Sequence, residues 1–278
     1  PYSEVAWHQL GRQYYTLKNY RKAIESFDFA CIIDDNFVGA YIEKGKSYEK
    51  IKMFSQAISC YKEALKFDDP SSYVYRRIGF CFEALKDYDK AVKYYLKSVH
   101  EDPLMDKSWI AIADLYLKKN DFKKALQFVN KALGIDEHNH LYWRRFAIIN
   151  KDLQFYEEAE LGFRKAIDNG DTFLDTWLYW SDSLNLLNEN ERAIDKLLKA
   201  REIFNDEYEI EYRLAGLYFT LNETEKGTYH LTNALALNFK NRTLLKELFP
   251  TIWENNLVQN YIQNFNKVDY LKKDNENF

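Results

Sequence analysis

Histidine, cysteine and arginine are the side chains here that could carry chemistry, and their spacing decides which chemistry is open. Of five histidines, His138 and His140 form the close pair. Two imidazoles at that spacing could bind a metal ion. No cysteine and no second acidic pair is placed to complete a shell, so the pair reads as a surface loop. Cys31, Cys60 and Cys81 are isolated and odd in number, with no CxxC spacing. They read as small buried helix residues in a reducing compartment, with the cytoplasm expected. There is no Gly-rich phosphate loop, and no Ser/His/Asp arrangement can be assembled. The expectation is a chain with no enzymatic activity, no metal and no cofactor. Arginine is different. Arg76-Arg77 and Arg144-Arg145 recur at one place, and Arg213 continues the row after Arg77 and Arg145. Guanidinium forks suit carboxylates. Two readings stay open: capture of an acidic peptide or chain terminus, or a ladder of salt bridges to acidic residues of adjacent helices.

The elements that hold these residues are helices in a fixed frame. Trp7, Leu10, Gly11 and Tyr14 share one helical face, followed by Tyr20, Ala23, Phe27 and Ala30. Small residues let a neighbouring helix approach, and large ones fill what they leave. Steps of 34 from Ala23 reach Ala57, Ala91, Ala125, Ala159, Ala193 and Gly227. The same steps from Ala30 reach Ala64, Ser98, Ala132, Ala166, Ala200 and Ala234. Trp7 maps to Tyr41, Tyr75, Trp109, Trp143 and Trp177, then to Glu211.

The pattern Trp7-x-x-Leu10-Gly11-x-x-Tyr14 followed by Ala23-x-x-x-Phe27 resembles the tetratricopeptide repeat. The resemblance covers residues 4–241 as seven copies: 4–37, 38–71, 72–105, 106–139, 140–173, 174–207 and 208–241. It implies an all-α, right-handed α-solenoid, a superhelix of helix–turn–helix hairpins, each with a helix A and a helix B. Asparagine in turns such as Asn120-Asp121 suits the left-handed residue that ends a helix. Acidic residues between repeats, as at Asp34, Asp68-Asp69-Pro70 and Asp102, suit the start of the next helix. Beyond 241, Leu244, Leu245, Leu248 and Phe249 predict a short helix stopped by Pro250. Trp253, Leu257, Tyr261 and Phe265 predict one apolar stripe on a C-terminal capping helix, within 242–266. Residues 267–278 read as a polar, disordered tail. The chain opens on Pro1 with repeat one following at once, as expected of an excised piece. A signal peptide or further repeats could precede it.

Composition agrees with long helices. Nine Gly and four Pro are few, and the 17 % aromatics fit interhelix filler. A net charge of −4 argues against a general affinity for nucleic acid. No apolar run is long enough for membrane insertion.

The resemblance places helix A on the inner surface. Rotating away from the core positions then gives the residues that face a groove. Ile110, Leu117, Ile148 and Leu178 would be open aliphatic side chains across repeats four to six, with Phe80 and Tyr212 in the same columns. Arg76 and Arg144 would meet acidic residues of the same partner. The carboxylate clamp of chaperone-adaptor members needs an Asn five residues after an anchor. Those positions hold Arg12, Lys46, Phe80, Asp114, Ile148, Asp182 and Gly216, so the clamp is not made. The expected function is a protein–protein interaction scaffold binding a protein or peptide segment in this groove. The alternatives are a structural protein that self-associates through its terminal repeats, and a regulatory segment of a larger complex.

Overall fold

The computed structural model describes residues 3–67 and 71–275, with side chains through Phe265. The chain is all-α, with no strand among the described residues. Hairpin partners come in sequence: α1 (Glu4–Thr16) with α2 (Tyr20–Ile33), α3 (Val38–Lys50) with α4 (Phe54–Phe67), α5 (Ser72–Ala84) with α6 (Tyr88–Glu101), and α7 (Asp106–Lys118) with α8 (Phe122–Leu133). They continue as α9 (His140–Asp152) with α10 (Tyr156–Asp168), α11 (Leu174–Leu186) with α12 (Asn190–Ile203), and α13 (Tyr208–Thr220) with α14 (Thr224–Asn238). The odd-numbered helices of these hairpins start 34 residues apart throughout. A 3₁₀ turn (Phe239–Asn241) leads to α15 (Thr243–Leu248), α16 (Pro250–Trp253) and α17 (Asn256–Asn275). The hairpins fall into two compact units, Pro1–Glu137 and His138–Phe278, and within each unit successive hairpins stack.

The packing is large against small. A Cβ on Gly11, Gly45 or Gly79 would lie 2.5–2.7 Å from ring atoms of Phe27, Tyr61 or Tyr95. Each glycine therefore lets a ring of helix B sit on the backbone of helix A. Ala23, Ala57, Ala91, Ala125, Ala159 and Ala193 are fully buried, as are Ala30, Ser98, Ala132, Ala166, Ala200 and Ala234. Leu10 departs from the expectation and is 39 % exposed. Its counterpart Ile78 is fully buried because Ala57, Ile58 and Tyr61 of α4, the helix B of the repeat before, cover it.

One turn joins each helix A to its helix B. Lys18, Lys52, Lys86, Asn120, Gln154, Asn188 and Asn222 all take φ between 57° and 65°. In every case the next amide donates back over the helix end, as Asn19 N does to Tyr14 O at 2.9 Å and Asp121 N to Tyr116 O at 2.9 Å. Asn19, Asp87 and Asp121 then cap helix B through their side chains.

Four expectations need correction. The inter-repeat carboxylates do not cap the following helix. Asp34 and Asp102 accept from the amides of Asn36 and Leu104, making tight turns, while Phe37 and Met105 precede α3 and α7 without a side-chain cap. Asp68-Asp69-Pro70 lies outside the described residues. Pro250 does not simply stop a helix but opens α16 as its first residue. The C-terminal stripe is also different. Trp253 ends α16, Leu257 is 48 % exposed, and the buried positions of α17 are Val258 and Ile262, flanked by Tyr261 and Phe265. Helix α17 runs through to Asn275, so the backbone of 267–275 is helical and not a coil, and residues 276–278 lie outside the described part.

Candidate partner-binding face

In the unit formed by Pro1–Glu137, the side chains of interest lie on α5 and α7. Arg76 is half-buried, its guanidinium 5.4 Å from the Tyr73 ring centre, and its Nε has no hydrogen-bond partner. One turn on, Phe80 is 40 % exposed, although no packing of the hairpin requires an aromatic there. Its ring meets Phe54 edge-on at 6.3 Å, and the Arg77 guanidinium lies 5.2 Å from its centre. Ile110 and Leu117 on α7 are half-buried. Tyr73 is a member that sequence reasoning passed over. Lys46 and Arg76 both lie over its ring, at 5.3 and 5.4 Å. The signal was present, since Tyr73 precedes Arg76 by three residues on one helix.

In the unit His138–Phe278 the same two columns hold Arg144 and Ile148 on α9. Arg144 lies 4.7 Å over Phe173 and donates to Asp175 at 3.3 Å, and its Nε again has no partner. Ile148 is half-buried against the core. The expectation fails at Leu178 and Tyr212. Leu178 is 2 % exposed and Tyr212 is fully buried, with its hydroxyl donating to Asn238 O at 2.9 Å. The cause for α13 is the C-terminal segment. Phe249 and Leu245 are buried against α13, and a Cβ on Gly216 would meet the Phe249 ring at 2.2 Å. The groove column of repeat seven is therefore filled by the chain itself.

The arginine row divides. Arg77 is bound to Glu49 of the preceding repeat, with Nε to Oε1 at 2.9 Å. Arg213 is 5 % exposed and grips both oxygens of Asp182, at 2.8 and 2.9 Å. These two arginines are internal salt bridges, the second of the two readings. Glu211, standing where the tryptophan anchor is expected, is buried and receives Arg201, His230 and Asn233. Burial alone would raise its carboxyl, but the His230 hydrogen bond and charge, with Arg201 and Asn233, hold it below the usual range.

Elsewhere the chemistry is quiet. His138 Nδ1 lies 3.3 Å from Asn169 Oδ1, and His140 Nδ1 3.8 Å from Asp171. No group of three or more metal-binding side chains occurs among the described residues. Burial pushes the thiols of Cys31 and Cys60 up to about 11 and that of Cys81 up to about 12, so none is a thiolate near neutrality. No described helix is long and apolar enough to cross a membrane.

Comparison with known proteins agrees with this architecture. Two profiles described as Tetratricopeptide repeat match the sequence, one at residues 5–31, 38–70 and 106–139 and the other at 73–104. No curated protein matches it. Among solved structures, the C-terminal part of a TPR repeat-containing protein from Cytophaga hutchinsonii superposes with a TM-score of 0.74 at 16 % identity, covering 87 % of this chain and 99 % of that one. YrrB, described as a TPR protein with an unusual peptide-binding site, gives 0.61 at 14 % identity, covering 67 % and 96 %. PilF of Pseudomonas aeruginosa gives 0.60 at 17 % identity, covering 75 % and 95 %. At these identities the likeness is one of fold.

Proposed function

The chain is a tetratricopeptide repeat protein, and from that premise we propose that it is a non-catalytic scaffold that holds a segment of a partner protein against its A helices. One observation carries the reading. Arg76 and Arg144 occupy the same column in the two units, each keeps an Nε without a hydrogen-bond partner, and each is followed one turn later by an apolar side chain, Phe80 or Ile148. A buried donor left unpaired costs about 1–3 kcal/mol unless something fills it. A partner carboxylate would satisfy the arginine, and an apolar partner side chain would cover its neighbour. Leu178 and Tyr212 drop out of the contact set because they are buried. The unusual peptide-binding site of YrrB is consistent with this use of the fold.

The test starts from a partner found by affinity capture and narrowed to a peptide. Calorimetry on Arg76→Glu with Arg144→Glu should give at least tenfold weaker binding and a shallower salt dependence, since a screened attraction is removed. Ile148→Asp should abolish binding while the helical circular dichroism stays unchanged. Wild-type affinity in both variants would overturn the reading.

A second reading has its own observation. Leu10 of α1 and Leu17, its C-terminal cap, lie seven residues apart on one side of the helix and are 39 % and 74 % exposed, an apolar edge of the kind that drives association of two copies. Light scattering over a concentration series tests it, and a strict monomer removes it.

A further inference from the structure

On the opposite side of the first unit, the B helices α4 and α6 and the end of α5 enclose a cleft of about 490 Å³. Its apolar members are Ile58, Phe82, Leu85 and Tyr94, and its charged members are Lys62, Lys90 and Lys93. Ile58 is 7 % exposed and the lysines are exposed. We propose that this cleft is a second protein-docking site, separate from the helix A face, and that it takes an acidic segment carrying an aliphatic side chain between its carboxylates.

Charge is the first ground. In a chain of net charge −4, three lysines converge here, and among the described residues neither Lys62 nor Lys93 has an ion-pair partner. Nearby carboxylates are occupied: Glu63 pairs with Lys66 at 2.7 Å, and Asp89 with Lys119 at 2.7 Å. Asp87 binds Lys90. A local excess of ammonium charge beside apolar side chains fits a partner that brings carboxylates and a hydrocarbon group together.

The chain supplies its own control. Three repeats later the equivalent cleft, about 390 Å³, has Glu160, Arg164, Arg192 and Lys196 where the first has Ile58, Lys62, Lys90 and Tyr94. There Glu160 takes Arg192 at 2.8 Å and Arg164 at 4.0 Å, so the cations are neutralised from inside. At the first cleft isoleucine stands in place of that glutamate. The carboxylate is missing and an apolar side chain replaces it, so nothing at that position neutralises the cations, which is the change a site for an acidic segment requires.

The ring geometry decides between a peptide and a nucleotide. Phe82 and Tyr94 stack on each other, centres 5.4 Å apart at 21°. Lys90 lies 5.5 Å from the Phe82 centre and Lys97 5.4 Å from that of Tyr94. The ring faces are taken up within the protein, so the stack holds its lysines in place and has no face to offer a base. No Gly-rich phosphate loop lines the cleft either.

The probe is a random linear peptide library displayed on phage, selected on the full chain and counter-selected on Lys62→Glu with Lys93→Glu. Enriched peptides should carry Asp or Glu on both sides of an aliphatic residue. By fluorescence anisotropy they should bind the full chain at least tenfold more tightly than the double variant. Ile58→Glu should weaken them equally by supplying the carboxylate that Glu160 supplies in the other cleft. Arg76→Glu should leave them unchanged, which separates this site from the helix A face. Peptides without acidic enrichment, equal binding to Lys62→Glu with Lys93→Glu, or displacement by ATP would each overturn the proposal. Both lysines are exposed, so this variant reads the site even if Ile58→Glu disturbs packing.

Discussion

The Tyr61 hydroxyl donates a 2.6 Å hydrogen bond to Glu49 Oε1 across its own hairpin, and one repeat later Tyr95 does the same to Glu83 at 2.9 Å. The pairing explains a coincidence in the sequence. Helix A carries glutamate at this position only in the two repeats whose helix B carries tyrosine, and elsewhere Phe27, Val129, Phe163, Leu197 and Leu231 face other residues. Glu49 is buried and also holds Arg77. Tyr61→Phe should therefore cost about 1–3 kcal/mol, because a buried carboxylate loses a donor. Urea unfolding measures it. A loss no larger than that of Phe27→Leu-type trimming elsewhere would mean that the hydrogen bond is incidental.

Ala91 and Ala125 are fully buried in the small column. Leucine at either site overpacks a helix contact and should lower stability by roughly 1–3 kcal/mol. Thermal unfolding of both variants checks this, and wild-type melting in both would refute the packing frame.

Gly216 is the notch that receives Phe249. Gly216→Ala should push the C-terminal segment off α13, and limited proteolysis should then cut around residues 239–250 faster than in the wild type. Deleting residues 243–278 exposes the same face entirely and should produce aggregation, since a terminal repeat needs its apolar side covered. A truncated chain that stays monomeric and equally stable would show the segment to be an appendage.

The folded-state pKa of Glu211 is depressed from its ordinary 4.5, and the sign follows from that. Its contribution is present above the unfolded-state value and is lost as pH falls through the folded-state one. Wild-type stability should therefore fall as pH is lowered below about 4.5. Glu211→Gln should be less stable at neutral pH and show a flatter acid limb. Denaturant titrations between neutrality and strong acid test both halves.

What could be read from the sequence was what repeats. The alanine columns and the glycines beneath Phe27, Tyr61 and Tyr95 follow from a fixed period, because the same contact is made each time. Tyr212 could not be assigned that way, since the burial of α13 depends on Phe249 folding back, a contact made once, and Leu178 on α11 is buried in the core of its own unit. The C-terminal stripe failed for a geometric reason. Trp253, Tyr261 and Phe265 all pack on the core, but the turn after α16 puts Trp253 on a different helix from the rest, and Leu257 stays exposed. The arginines were legible as a row but not as single contacts. Whether each one is satisfied depends on a carboxylate in a neighbouring repeat, as Asp182 is for Arg213.

The seven left-handed turn residues have a consequence for how the protein tolerates change. None of them is glycine, yet all adopt the same φ; asparagine suits it at three sites, and backbone hydrogen bonds and hairpin packing impose it against the preference of lysine or glutamine at Lys18, Lys52, Lys86 and Gln154. Each lysine or glutamine site keeps roughly 1 kcal/mol of conformational strain that glycine would relieve. Successive sites are a whole hairpin apart and share no partners, so such replacements should add independently. The array can thus drift or be hardened one turn at a time, with neither of the proposed docking faces altered.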